Sequence, residues 1–227
     1  MAITAKSILD KAVIQLTDVA GVRWTRAELL GWLNDGQRVI ASIQPNSSNE
    51  VVVMPLVAGT RQVLPTDGWM LLDIYRYMGT NGATPGRAMR LISRELLDSF
   101  DLYWHSATAS AEPKNYIYDL QDQRAFYVYP PNTGTGYVQL NYAQIPADLV
   151  LETDVINIID IYQPALLDYI LYRACSKDAE YAPGVALAQM YAQSFASILG
   201  GKDAAEKINN PNQALFPHNP NIAGSES

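Results

Sequence analysis

This chain is short of cysteine, histidine and positive charge, and each shortage removes a class of function. Its one cysteine, Cys175, cannot close an internal disulfide, and the apolar helical pattern around it predicts a small buried hydrophobe rather than a reactive thiol. The two histidines, His105 and His218, stand in different regions with no Cys or His at ligand spacing, so neither a zinc site nor any other cofactor is expected. Gly-x-x-x-x-Gly-Lys and Gly-x-Ser-x-Gly are both absent, which argues against a phosphate-cradling loop and a hydrolase nucleophile elbow. Long apolar runs are missing too. The strongest, 51–58, falls far short of the ~20 residues of a membrane span, and the first eleven residues lack a signal-peptide layout. Synthesis in a reducing host cytoplasm, with no membrane partner, is the expectation.

Basic residues are outnumbered, 16 Lys and Arg against 23 Asp and Glu, for a formal net charge of −7. A nucleic-acid binder shows a clustered basic footprint, so specific DNA binding is not expected. An acidic wall that DNA merely passes remains compatible, because it repels phosphate. Charged residues make up only 17% of the chain, against a usual share of about 25%. That fits a surface covered by neighbours, and equally an ordinary compact monomer.

What is present is strong local patterning. Thr25 and Glu28 form a capping box ahead of a helix to about residue 43, with Leu29, Leu33, Val39, Ile40 and Ile43 at helical spacing. Asn34-Asp35-Gly36 interrupts it with three poor helix formers, which implies a packing or partner reason. Residues 3–20 predict an earlier helix capped by Thr4, with Ile8, Leu9, Ala12, Val13 and Leu16 on one face and Gly21 as breaker. Together the two make a helical hairpin. From Val51 the period changes to β-branched and aromatic runs between Gly and Pro punctuation: strands near 51–54, 61–64, 72–77, 116–120, 125–129 and 137–142, with a short helix capped by Ser93 running through Phe100. These predict an antiparallel meander folded into a small sandwich. From Gln163 the helical period returns, with Pro164 in a first turn and Leu166, Leu167, Ile170, Leu171 and Ala174 as a stripe. A further helix opens at Pro183 and is expected to stop at Gly200-Gly201.

The resulting fold class is α+β: a helix bundle built from N- and C-terminal helices, with an inserted antiparallel β domain and an extended C-terminal tail. The expected divisions are 1–48 for the helical hairpin, 49–160 for the β-rich insertion, 161–208 for the helices completing the bundle, and 209–227 for the tail. Ordering that tail costs roughly 1–2 kcal/mol per residue. Burial of Leu215, Phe216 and Ile222 returns only about 1.5–3 kcal/mol each. Rich in Asn, Pro and Ser, the tail reads as disordered by itself; if it is ordered, a partner must hold it, which makes those three residues candidate docking anchors.

The wording Arg23-Trp-Thr, Glu28-Leu-Leu and Trp32-Leu-Asn-Asp-Gly-Gln-Arg38 resembles the adaptor, or head-to-tail connector, proteins of short-tailed bacteriophages. The likeness continues through Gly59-Thr-Arg-Gln-Val-Leu-Pro65, Leu72-Asp-Ile-Tyr-Arg-Tyr-Met-Gly79, Arg90-Leu-Ile-Ser-Arg-Glu-Leu-Leu-Asp98, Trp104 and Tyr127-Val-Tyr-Pro-Pro131, and covers most of residues 3–200. It implies a virion protein at the head-tail junction. Such proteins form a homo-oligomeric ring, usually of twelve copies, beneath the portal protein. The ring extends the DNA channel and bears tail nozzle, tube or fibre proteins, while DNA passes without specific binding. The acidic run Asp160, Asp168, Asp178 and Glu180 would then be a candidate lumen lining, against the plain reading of a solvated helix face.

Two other classes stay open. Tyr116, Tyr118, Tyr127, Tyr129, Tyr137 and Tyr142 would suit a carbohydrate-stacking, host-surface binding module, although aromatics are also ordinary strand and interface residues. An accessory cell-wall hydrolase would draw its acid and base from Glu95 with Asp98 or Glu112 with Asp119. Trp104-His105-Ser106 is the one place where nucleophile, base and aromatic adjoin. Adjacent residues do not face each other, so a core-closing Trp beside an exposed His is the reading, and no enzyme activity is expected.

Overall fold

The computed structural model describes residues 3–177 and 182–209. Among these described residues, five α-helices, α1 (Ala5–Gln15), α2 (Arg26–Ile43), α3 (Arg94–Phe100), α4 (Gln163–Lys177) and α5 (Ala182–Asn209), accompany seven strands. The strands are β1 (Asn49–Pro55), β2 (Gly59–Val63), β3 (Gly68–Tyr77), β4 (Arg90–Leu91), β5 (Asn115–Tyr118), β6 (Ala125–Asn132) and β7 (Tyr137–Gln144). The class is α+β.

α4 is the hub of the helical part and packs against α1, α2 and α5. Its stripe Leu166, Ile170 and Ala174 meets Ile8, Leu9 and Ala12 of α1 and Leu29, Leu33 and Ile40 of α2 in one buried cluster, which Leu199 of α5 joins. The interruption in α2 has an internal packing reason. A Cβ on Gly36 would lie 3.0 Å from Cδ1 of Tyr169 and 3.3 Å from Cδ2 of Leu166, so the glycine lets α4 come close. Asn34 bonds both ways to the Leu149 backbone: its Nδ2 donates to the carbonyl at 3.0 Å and its Oδ1 accepts from the amide at 2.9 Å. Gln37, fully buried, accepts from the Asn157 amide at 2.7 Å. These side chains dock residues 145–159, a stretch outside the named strands that bridges to Thr4 through Val155, onto the helices, where Leu149, Ile156 and Ile158 enter the cluster.

The strands form two sheets, ordered β1-β7-β3 and β2-β6-β5-β4. All pairs are antiparallel except the two-residue β4–β5 pair, which is parallel. Leu71, Ile74, Val138 and Leu140 of the first sheet share a core with Tyr116, Phe126 and Val128 of the second, so the sandwich is present. The order along it is not a meander's. β1 and β2 adjoin in sequence yet lie in different sheets, with buried Leu56 at the crossing dropping into the shared core. β7 takes the centre because Val138, Leu140 and Tyr142 fill the core while both of its edges are paired.

Several boundaries differ from the sequence expectations, each for a physical reason. α1 stops at Gln15 because Thr17 adopts a left-handed φ of 53°. The chain then wraps the Asp18 carboxylate, which accepts from the Val22, Arg23 and Trp24 amides at 2.9–3.0 Å. Those amides, Trp24 foremost, hold the Asp18 carboxyl below the usual range. Thr4 makes no side-chain cap; the Ala5 and Lys6 amides bond to the carbonyls of Asp154 and Glu152 instead. Thr25 does accept from the Glu28 amide at 3.3 Å, but the Glu28 carboxylate turns away to Lys177, 2.7 Å off, so the box is half formed. α5 does not stop at Gly200-Gly201 and continues to Asn209. A helical glycine costs only about 1 kcal/mol relative to alanine, and Lys202-Asp-Ala-Ala-Glu206 behind the pair favours helix.

Candidate functional site

Leu215, Phe216, Ile222, Asp178, Glu180 and His218 lie outside the described residues. Asp160 is exposed in a single 3-10 turn, between Ile159 and Ile161, which are exposed as well. Asp168 is half-buried between α4 and α5 and accepts from Oγ of Ser194 at 2.6 Å.

Trp104 is buried with Leu97 and Ile117 under α3, and its Nε1 donates to Asp98 at 2.7 Å. The exposed His105 stacks on it at 3.6 Å and places Nδ1 2.9 Å from Oγ1 of Thr60, so its polar contact goes to Thr60 and not to Ser106. Asp98 is further engaged by Arg94 at 3.6 Å, and Asp119 accepts from the Gln121 amide of its own turn at 2.9 Å. Of the six tyrosines considered as a stacking platform, none is exposed. Tyr116 donates to Asp73 at 2.8 Å, Tyr118 to the Gln123 carbonyl at 3.1 Å, and Tyr142 to Glu50 at 3.1 Å. They belong to the sandwich and its polar seams.

The surface instead presents two kinds of feature that sequence patterning did not single out. One is apolar. Leu96 is 49% exposed, Phe100 82%, Leu102 74% and Tyr103 75%, all on α3 and the turn behind it. A second apolar group, Val19 and Val22, sits on the turn between α1 and α2. Contiguous exposed apolar side chains of this size mark contact surfaces.

The other feature is electrostatic. The parallel pairing of β4 with β5 sets Arg90 opposite Asn115, and the Arg90 amide donates to the Lys114 carbonyl at 3.4 Å. The Tyr77 amide holds the Arg87 carbonyl at 2.9 Å, and the Lys114 amide donates to the Tyr129 carbonyl at 2.8 Å. Buried Met89, just before β4, anchors the segment between the arginines in the sandwich core. The outcome is a cleft of about 420 Å³ lined by Arg87, Ala88, Arg90, Lys114 and Asn115. All three cations are exposed, and none has a side-chain hydrogen bond or ion pair among the described residues. By contrast Arg26, Arg38, Arg61, Arg94, Arg173 and Lys177 are each paired with carboxylates. Arg87 and Lys114 are too far apart in sequence to read as a basic run, and the acidic total hides them. Only the sheet pairing could have revealed the group.

The sequence model of one protein family, described as SU10 adaptor protein, matches residues 3–215. No curated protein matches the chain.

Proposed function

The chain belongs to the SU10 adaptor protein family, a phage adaptor family, and from that premise we propose that it is a structural head-to-tail adaptor that forms a ring below the portal. The observation that carries this reading is the length of the match, which takes in helices, both sheets and the long last helix rather than one motif. A ring needs two different faces on each subunit, joined head to tail about an axis that closes. The exposed apolar groups on α3 and on the α1–α2 turn supply side chains of the kind such contacts cover.

In this reading the ring extends the DNA channel, and the tail proteins attach to it. The acidic total keeps most of the wall from holding DNA. Asp160, which is exposed, and Asp168, half-buried with Ser194 as its hydrogen-bond partner, are proposed as members of that acidic lining together with Asp178 and Glu180. The segment 209–227, with Leu215, Phe216 and Ile222, is proposed to dock on the portal. The host-surface reading draws no support from its six tyrosines, since none of them is exposed.

Imaging of purified particles by electron microscopy, with the chain located in the density, tests the proposal. A ring between portal and tail is expected. Absence of the chain from the particle, or its location away from that junction, overturns it. Deletion of 209–227 is expected to leave the subunit folded, by circular dichroism, and to abolish attachment to portal; undiminished attachment counts against the docking segment.

A further inference from the structure

We propose that the cleft between β4 and β5 is an anion site that engages backbone phosphates of DNA through Arg87, Arg90 and Lys114. The inference rests on the adaptor reading, which brings DNA past the subunit, but its physical basis is local. Like charges on neighbouring strands repel. Here two arginines and a lysine are gathered at one cleft without an internal carboxylate to relieve them, in a chain with 23 acidic residues available. The fold matches six other cations to carboxylates; Lys6 and Lys11 on α1 are also exposed without an ion pair among the described residues, but these three stand together at one cleft. Arg76, exposed on β3, adds a fourth positive charge next to the group, since it is the bridge partner of Ala88.

Phosphate suits this arrangement better than a protein carboxylate does. Guanidinium groups bind phosphate oxygens bidentately, and lysine adds a point charge. Duplex DNA carries one negative charge per roughly 1.7 Å of axis, so one approach brings several anions to three or four cations at once. A single carboxylate would leave most of that positive charge unmatched. Asn115 adds an amide at the cleft, which it now uses to donate to the Arg90 carbonyl at 3.4 Å. The contact carries no sequence information, because it reaches the backbone and not base edges. It therefore gives a sliding duplex a weak hold on an otherwise repellent subunit.

The test uses the full-length chain and a fluorescent duplex of mixed sequence, with anisotropy followed up to about 0.1 mM protein, the weak end of non-specific binding. Wild-type protein is expected to bind at low salt, with log affinity falling against log salt at a slope of about −2.7, the value for three phosphate contacts. The R87Q/R90Q/K114Q variant, which removes the charge and keeps a polar, unbranched side chain, is expected to lose at least about tenfold in affinity, about 1.4 kcal/mol. K11Q, which removes a cation elsewhere, is expected to bind as wild type. Unchanged circular dichroism and Tm in the triple variant would show that charge and not folding was lost. Should the triple variant misfold, the single substitutions R87Q and K114Q are each expected to flatten the salt slope by about 1.

No binding by wild type at low salt overturns the proposal, as does binding that the triple substitution leaves intact. Preference for polyglutamate over duplex overturns it in favour of an acidic protein partner. A chain found at the head-tail junction whose DNA affinity ignores these substitutions sinks the cleft and spares the adaptor reading. A chain absent from particles sinks the adaptor reading whatever its affinity.

Discussion

Asn34 looks like a flaw in α2 when read along the helix, and acts as a clamp when seen across it. Its amide satisfies both polar groups of the buried Leu149 backbone. Asn34→Ala improves helix propensity but leaves those two groups unpaired, at a cost of about 1–3 kcal/mol. Thermal unfolding is expected to show a lower Tm, and an unchanged or higher value would refute the clamp. Tyr142 offers a test by pH. Burial, opposed by a hydrogen bond from Gln144 and reinforced by Glu50 and Asp67, pushes its phenol up to about 12 from an ordinary value near 10. The native state therefore keeps a proton that the unfolded chain releases, and stability falls as pH rises from about 10 to about 12. Tyr142→Phe is expected to lose about 1 kcal/mol at neutral pH and to remove this site's share of the alkaline loss. Denaturant unfolding at pH 7 and at pH 11 reads both effects. Parallel alkaline losses in the two proteins would contradict the assignment. At this scale the sequence signalled where something unusual stood, in Asn34-Asp35-Gly36, but not which group each residue met. Leu149 lies 115 positions from Asn34 and Tyr169 lies 133 from Gly36, and no local rule spans such separations.

The elements themselves were largely legible. Helical period with caps located α2, α3 and α4, and alternation located most strands, because both signals arise from a backbone repeat acting on near neighbours. Terminations were less legible. α1 ends on a left-handed threonine and α5 ignores a glycine pair, since a stop depends on what the next residues can bond to. A Cβ at Gly200 or Gly201 would meet nothing within 4 Å. Gly200→Ala with Gly201→Ala should then stabilise α5 by up to about 1 kcal/mol per site. Increased ellipticity at the helical minimum and a higher Tm are expected; a fall in either would show that the pair serves as a hinge. Strand order was the part of the β region that pattern did not reveal. Alternation states which face is buried and says nothing of which edge meets which, so β7 between β1 and β3 had to come from the assembled sheet.

For the molecule as a whole, the adaptor reading makes exposed apolar residues more important than buried ones. Phe100→Ser with Leu102→Ser removes two side chains that are 82% and 74% exposed. Subunit stability should change by no more than about 0.5 kcal/mol per site, as for ordinary surface substitutions. Incorporation into particles is expected to drop sharply, measured as copies of the chain per particle. Normal incorporation would show that α3 faces solvent in the virion. Among the described residues no helix is long and apolar enough to cross a membrane, and no group of three or more His, Cys, Asp or Glu is placed to hold a metal ion.

The order of residues alone decided the α+β class, the approximate positions of most elements, the family, and the acidic total, because these follow from short-range periodicity and from sums. Tertiary structure alone decided the partners of Asn34 and Gly36, the interleaved sheets, and the meeting of Arg87 and Arg90 with Lys114 across a parallel pair. Proximity between distant positions comes from burying apolar faces and pairing backbone groups throughout the fold. Where charges then come to rest on the surface is a consequence of that packing, and it cannot be added up from the chain.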